Sequence, residues 1–437
     1  MSQQHVDYYQ REWIAGLEPP TLYEHSEFKL EKVVGIQKKG NQFHCLRCQN
    51  EDPSRFATLY EQEVIYCREC LTFGRVTTDT YLIRSYANCQ HQSKTAGLLT
   101  LTQTLSTLQQ KASDAAVYAF NHRRNHYTWA VCGAGKTEMM FQVVSEALNQ
   151  GHRVCWAIPR TDVVIELKPR LQQAFKQAQV IALYGQSTQK HHAGEIVLST
   201  THQLIHFHEA FELIIIDEVD AFPYTHDQML PRLVNKAKTK TGVILYLSAT
   251  PSSDEQKQIR TEQMSSFIVP MRYHGHPLDV PQFKACYNYN EHIKNNRIPK
   301  SLKRYLMNQK ANRRKTLLFI PTIQIGEQLS QLLNIELVHS QDEMREQKVK
   351  TYKKTETLFL LTTMILERGI TIIDIDVAVI GAESELFTES ALVQISGRVG
   401  RHKDYPHGTI TFFHDGISKS MIDAQTHIKR MNEKDVS

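Results

Sequence analysis

From Trp129 onward the sequence alternates short apolar runs with stretches of helical periodicity, and it does so in two successive series. The first series of runs is Trp129–Val131, Val154–Ile158, Ile196–Ser199, Leu213–Ile216 and Val243–Leu247. The second is Thr316–Ile320, Ile335–Val338, Leu358–Leu361, Val377–Ile380 and Thr409–Phe412. The runs are almost continuously apolar and rich in β-branched residues, the signature of strands covered on both faces. Strands of that kind joined by helices form parallel sheets, because parallel neighbours need a crossover connection. The expected fold class is therefore α/β, with two doubly wound parallel-sheet domains in tandem. A length of 437 residues accommodates two to four domains at about 150 residues each.

The flanking regions are less regular. Residues 254 to about 290 break the alternation and read as a linker. Leu98, Leu101, Leu105 and Leu108 recur at helical spacing and predict a helix over 97–120. Residues 1 to about 37 carry no clear pattern. The expected division is an N-terminal region over 1–95, one α/β domain over 96–270 and a second over 271–437.

Composition narrows the class of protein. Hydrophobic residues make up 41% of the chain and charged residues 22%, as in ordinary globular proteins. The formal charge of +5 permits a polyanionic partner without requiring one. No apolar run reaches the roughly 18 residues needed to span a bilayer. Met1 to Tyr9 are polar, so no secretory signal is expected. The expected location is cytoplasmic, with peripheral attachment to the inner face of the membrane left open.

The strongest local motif is Ala130–Thr137, Ala-Val-Cys-Gly-Ala-Gly-Lys-Thr, placed between an apolar run and a helical stretch. This is a P-loop with alanine in place of the first glycine. Gly133, Ala134 and Gly135 let backbone N–H groups face phosphate oxygens. Lys136 reaches the β and γ phosphates, and the Thr137 hydroxyl coordinates Mg²⁺. About 80 residues later Leu213–Asp220, Leu-Ile-Ile-Ile-Asp-Glu-Val-Asp, delivers carboxylates at the end of a strand, where ligands of open α/β sheets bind. Asp217 is expected to hold Mg²⁺, and Glu218 to orient and deprotonate the attacking water.

Further motifs follow the same order along the chain. Gln109, in Leu-Ser-Thr-Leu-Gln, is a weaker candidate for reading the adenine edge. Ser248, Ala249 and Thr250 end an apolar run and fit a coupling role between the carboxylates and the second domain. Gln394–Arg401 reads Gln-Ile-Ser-Gly-Arg-Val-Gly-Arg. On a helix, Gln394, Arg398 and Arg401 would share one face, and a guanidinium there can neutralise charge on a transferring phosphoryl group. Thr362 and Thr363 are candidate donors to the phosphates of a bound strand, and Gly369 permits close backbone approach.

A separate signal lies upstream. Cys45-x₂-Cys48 and Cys67-x₂-Cys70 are separated by eighteen residues within a polar module at about 40–75. In a reducing compartment such pairs read as a closed Cys₄ metal site rather than as disulfides. Structural Zn²⁺ suits four thiolates, and an iron–sulfur cluster is the alternative. Arg47, Arg68 and Arg75 flank the pairs, as nucleic-acid contacts or as solvated surface. Nine Lys and Arg with no acid lie between Lys294 and Lys315, either a basic face near a strand channel or a solvated helix.

The ordered motif set over residues 105–401 resembles helicase superfamily two, which implies two RecA-like domains and ATP hydrolysis. Trp129–Met139, Asp217–Asp220, Arg272–Leu278, Glu367–Thr371 and the cysteine pairs are together similar to the ComFA family, over roughly residues 38–430. The motor of that family resembles the primosomal helicase PriA. The resemblance implies a cytosolic ATPase that pulls single-stranded transforming DNA inward during competence. It also implies association with a ComF-operon phosphoribosyltransferase-like protein, with DprA and with the membrane DNA channel. Homo-oligomer formation is left open. Arg272–Leu278 has no chemistry that residue types alone supply. Two other readings compete: a PriA-like DNA helicase in replication restart or repair, and a zinc-stabilised scaffold using ATP only as a switch.

Overall fold

A computed structural model describes residues 8, 10–19, 21–22, 28–59, 63–87, 99–100, 104–189, 194–367 and 372–434. The chain divides into two compact units. One comprises residues 1–128 and 137–267, the other residues 129–136 and 268–437.

The first unit is built on a seven-stranded sheet. Its order is Val180–Leu183, Ile196–Thr200, Val154–Ile158, Phe211–Asp217, Lys238–Ser248, His126–Ala130 and Ser265–Val269. The pairings of Val154–Ile158 with both its neighbours, and of Phe211–Asp217 with Lys238–Ser248, are parallel. Every residue of Val154–Ile158 and Ile196–Thr200 is buried, which is why those runs read as continuously apolar. The second unit carries a six-stranded sheet, ordered Gln282–Ala285, Ile410–His414, Ile375–Ile380, Lys315–Phe319, Phe359–Thr362 and Leu337–Val338. All its pairings are parallel. These are two RecA-like parallel-sheet units.

Two expectations need correction. The helix expected over 97–120 runs over Thr107–Asn121. Ser106 caps its start, accepting from the Gln109 N–H while the Gln109 side chain accepts from the Ser106 N–H at 2.9 Å. Leu98 and Leu101 lie outside the described residues. The linker over 254–290 holds regular structure as well: a helix Ser253–Arg260 and the strands Ser265–Val269 and Gln282–Ala285. Both strands occupy sheet edges, and neither carries a fully buried face.

The N-terminal region, unreadable in the sequence, forms an antiparallel sheet in which Tyr81–Ala87 pairs with both Glu12–Ile14 and Phe28–Val34. Hairpins Ile36–Lys39 with Gln42–Cys45, and Phe56–Leu59 with Val64–Cys67, carry the cysteine pairs. This region belongs to the first unit. A buried network holds it there. Lys236 Nζ donates to Glu12 Oε1, to the Arg47 carbonyl and to the Ile205 carbonyl, each at 2.8 Å. Arg84 Nε holds the other oxygen of Glu12 at 2.7 Å. The Arg11 guanidinium lies 4.0 Å above the Phe207 ring.

Candidate functional site

Local backbone geometry explains the residues of the P-loop. The strand His126–Ala130 ends at Ala130, and a helical turn Lys136–Met139 begins after five intervening residues, followed by the helix Phe141–Asn149. Gly133 at φ +80° and Gly135 at φ +78° occupy the left-handed region, where a side chain is strained. Lys136 Nζ reaches back to the Ala130 carbonyl at 3.3 Å. The loop therefore closes on its own lysine, the group expected to meet phosphate.

In the first unit, Asp217 ends its strand and is buried, with 7% exposure. Glu218 follows at φ +58°, a conformation that costs a non-glycine residue about 1–2 kcal/mol. That turn directs successive carboxylates away from the strand's alternation. The strand Lys238–Ser248 lies next to the carboxylate strand in the sheet. From its end, Thr250 Oγ1 donates to Asp220 Oδ2 at 2.8 Å, and the Thr250 N–H donates to Ser248 Oγ at 2.9 Å. Ser248–Ala249–Thr250 thus hangs directly on the acidic turn. Gln109 is buried with its amide oxygen engaged by the Ser106 cap.

In the second unit, the helix Glu389–Ser396 presents Gln394, whose Oε1 lies 3.1 Å from the Cys132 thiol of the P-loop segment. The shared helical face expected for Gln394, Arg398 and Arg401 is not what forms. The helix stops at Ser396 with Gly397 as its cap, and residues 397–400 are turns with Gly400 at φ +67°. Two glycines end the helix before its periodicity can align the arginines. Arg398 Nε instead donates to the Glu367 carbonyl at 2.8 Å, and Arg401 Nε to the Gly397 carbonyl at 2.8 Å. Thr362 is fully buried, its hydroxyl donating to the Thr363 carbonyl at 2.9 Å. Gly369 lies outside the described residues.

The cysteine cluster has the form of a metal centre. Cys45, Cys48, Cys67 and Cys70 are all fully buried, and their Sγ atoms lie within 4.8 Å of one another. Cys45 and Cys70 are 3.7 Å apart, and Cys48 and Cys67 are 3.5 Å apart. A tetrahedron with metal–sulfur bonds of about 2.3 Å has edges of roughly 3.8 Å, so the set fits Zn²⁺. Contacts with Cys45, Cys67 and Cys70, and then burial, push the Cys48 thiol well up. A divalent cation removes that obstacle to thiolate formation. Arg47 is buried, with Nη1 on the Gly74 carbonyl at 3.2 Å, so it braces the second knuckle rather than facing solvent. Arg68 and Arg75 are exposed.

Most of the basic run is exposed on and around the helix Lys300–Ala311. Arg314 and Lys315 are structural: Arg314 pairs with Asp374 and Asp376, and Lys315 Nζ donates to the Tyr352 carbonyl at 3.0 Å. Among the described residues, Lys236 and Arg272 are buried cations that sequence reasoning left without a role, and their partners are distant in sequence.

Residues 19–84 match the Competence protein ComFA N-terminal domain, residues 102–253 the Type III restriction enzyme res subunit, and residues 297–403 the Helicase conserved C-terminal domain. The fold is similar to that of S. cerevisiae Dbp5 bound to RNA and ADP BeF3, with a TM-score of 0.56 at 14% identity, over 76% of this chain and 88% of that one. RecG bound to a three-way DNA junction gives a TM-score of 0.50 at 18% identity, over 77% of this chain and 46% of that one. The helicase models together with this fold make the chain an ATP-hydrolysing, helicase-type enzyme, for which ATP and Mg²⁺ are implied. The competence protein ComFA of Bacillus subtilis (strain 168) is 42% identical over 410 residues, 92% of this chain and 88% of that relative. The ComFA of Streptococcus pneumoniae (strain ATCC BAA-255 / R6) is 36% identical over 416 residues, 92% of this chain and 94% of that one. The chain belongs to the ComFA family of competence proteins.

Proposed function

We propose that this protein is a DNA-dependent ATPase that translocates on single-stranded DNA and drives import of transforming DNA into the cytoplasm during natural competence. The observation that carries the reading is the acidic turn Asp217–Asp220 tied through Thr250 to the Ser248–Thr250 strand end, in a chain of the ComFA family. A hydrolytic site wired to a coupling segment is what a motor needs and a passive scaffold does not.

In this reading Gly133, Ala134, Gly135 and Lys136 bind the phosphates, and Gln109 meets the base. Thr137 and Asp217 would hold Mg²⁺, which supplies charge neutralisation at the phosphates. Glu218 takes the proton of the attacking water. Gln394, Arg398 and Arg401 stabilise charge developing on the transferred phosphoryl group. Thr362, Thr363 and Gly369 border the path of the strand. The four cysteines hold a structural Zn²⁺. Domain limits at 1–95, 96–270 and 271–437 follow the same assignment. A phosphoribosyltransferase-like protein of the ComF operon, DprA and the membrane DNA channel are the proposed partners, met at the inner face of the membrane. Among the described residues no helix is long and apolar enough to cross a membrane.

The test compares steady-state ATPase rates with single-stranded DNA, duplex DNA and RNA, for the wild type and Lys136→Ala. Single-stranded DNA should give the largest stimulation, and Lys136→Ala should abolish both hydrolysis and transformation while leaving the thermal unfolding midpoint in place. A rate indifferent to all three nucleic acids, or normal transformation by Lys136→Ala, refutes the motor reading.

A further inference from the structure

Arg272–Leu278 is the one motif to which the reaction as described gives no work. It lies in the second unit, which also contains the P-loop segment 129–136 and the turn carrying Arg398 and Arg401. The Arg272 side chain is fully buried. Its Nη1 donates to the Gly400 carbonyl at 2.9 Å and to the Pro406 carbonyl at 3.0 Å. Asp279 Oδ2 stands 3.6 Å from Nη2 and balances the charge. On the other side, the methylenes Cγ and Cδ pass over Gly133, at 3.6 and 3.8 Å from where a Cβ would stand. The adjacent Tyr273 N–H donates to the Gly133 carbonyl at 3.0 Å. His274 Nε2 adds a second contact to the Gly400 carbonyl at 3.0 Å.

One short segment therefore grips the phosphate loop by its backbone and the arginine-bearing turn by its last carbonyl. Gly400 leaves no alternative: a Cβ there would collide with the Arg272 guanidinium and the Pro406 carbonyl. A buried cation is expensive, and here it is spent on two backbone carbonyls rather than on a full ion pair. Such an arrangement fixes backbone position. It contributes little that an apolar side chain could not supply more cheaply as packing.

We propose that Arg272 is a positioning residue of the ATPase, clamping the turn that carries Arg398 and Arg401 to the Gly133 backbone of the P-loop. Placement of the arginines then follows placement of the phosphate loop, instead of depending on the helix that ends at Ser396. The inference rests on the reading that Arg398 serves hydrolysis. Positioning of this kind acts on the transition state more than on nucleotide binding, because the P-loop retains all of its own donors.

The experiment uses the full-length protein with single-stranded DNA and measures kcat, KM for ATP, the Kd of a fluorescent ATP analogue and the unfolding midpoint. Variants are Arg272→Gln, Arg398→Ala, their double mutant and Gly400→Ala. Arg272→Gln should lower kcat about tenfold or more, with KM and nucleotide Kd within about threefold of wild type. Gly400→Ala, whose Cβ would push the Arg272 guanidinium off the turn, should reproduce that split with residue 272 unsubstituted. The double mutant should lose less than the product of the two single losses, since both changes act through the same arginine-bearing turn. Wild-type kcat in Arg272→Gln, equal loss in Kd and kcat, or multiplying losses in the double mutant overturns the proposal. Should Arg272→Gln fail to fold, Arg272→Lys keeps the stem and the charge and faces the same criteria. Arg398→Ala with wild-type kcat brings down the reading of Arg398; an impaired Arg398→Ala beside an unimpaired Arg272→Gln brings down the Arg272 proposal alone.

Discussion

Lys236→Met is the sharpest perturbation of the joint between the cysteine module and the first parallel sheet. Methionine keeps the length of the stem and removes only the ammonium group. Three acceptors then lose their donor: Glu12 Oε1 and the carbonyls of Arg47 and Ile205, each at 2.8 Å. Glu12 is fully buried and keeps Arg84 on its other oxygen at 2.7 Å, so its charge stays partly compensated. Each orphaned acceptor costs about 1–3 kcal/mol, and breaking one side of a buried ion pair costs about 3–5 kcal/mol in total. A loss of about 4 kcal/mol should accelerate local opening by roughly a thousandfold. Hydrogen exchange at the amides of Glu12–Ile14 and of the Cys45–Cys48 knuckle reads that opening directly. The interior of Val154–Ile158 serves as an internal control, because it opens only with the whole sheet. Adding Glu12→Gln should deepen the loss rather than repair it, because Arg84 then loses its counter-charge. Unchanged exchange in the module, or a destabilisation below about 1 kcal/mol in urea unfolding, refutes the view that this network anchors it.

Three further perturbations probe other parts of the chain. His126, buried with Nδ1 2.6 Å from Ser265 Oγ, is held by burial down to about 4, below its ordinary 6.5. Protonation is therefore favoured in the unfolded chain: stability should be unaffected above pH 6.5 and fall by about 3 kcal/mol as pH drops towards 4. His126→Asn should flatten that difference in urea unfolding, and an identical acid slope refutes the assignment. Asp376 is pushed up by burial but pulled lower overall by Arg314, the Thr409 N–H and Gln309, so Asp376→Asn should cost about 3 kcal/mol in thermal unfolding. A midpoint shift of less than about 2 °C would contradict that role. Cys67→Ser with Cys70→Ser should release about one zinc per chain, measured by elemental analysis, and loosen both hairpins; iron in the wild-type protein would refute the metal assignment.

What could be read in the sequence depended on how local the cause was. Val154–Ile158 is recognisable because every residue is buried and the run is short, wholly apolar and β-branched at both ends. Gly133 and Gly135 are recognisable because only glycine tolerates their φ. The cysteine spacing announces a cluster because coordination number and bond length leave few alternatives. Phe28–Val34 alternates irregularly in burial, mixes Lys29, Glu31 and Lys32 with apolar residues, and finds its partner about fifty positions later at Tyr81–Ala87. No window in the sequence spans that pairing. Periodicity misled at Arg398 and Arg401, because helical spacing is a property of the letters while Gly397 and Gly400 decide where the helix ends.

Lys236 shows the remaining difficulty most clearly. Its helix, Met229–Ala237, has an apolar face at Met229, Leu230, Leu233, Val234 and Ala237, and a lysine beside it reads as solvated. That inference assumes one covered face. Here the N-terminal strands cover a second, and Lys236 is buried between Glu12 and two carbonyls. Arg272 repeats the pattern, with its acceptors at Gly400 and Pro406, 128 and 134 positions away. In both cases the letter reveals a cation and the fold decides whether it meets water or backbone. Buried cations bound to carbonyls are costly unless something requires their geometry. Residues of that kind are therefore where mutation should separate the positioning of this machine from its chemistry.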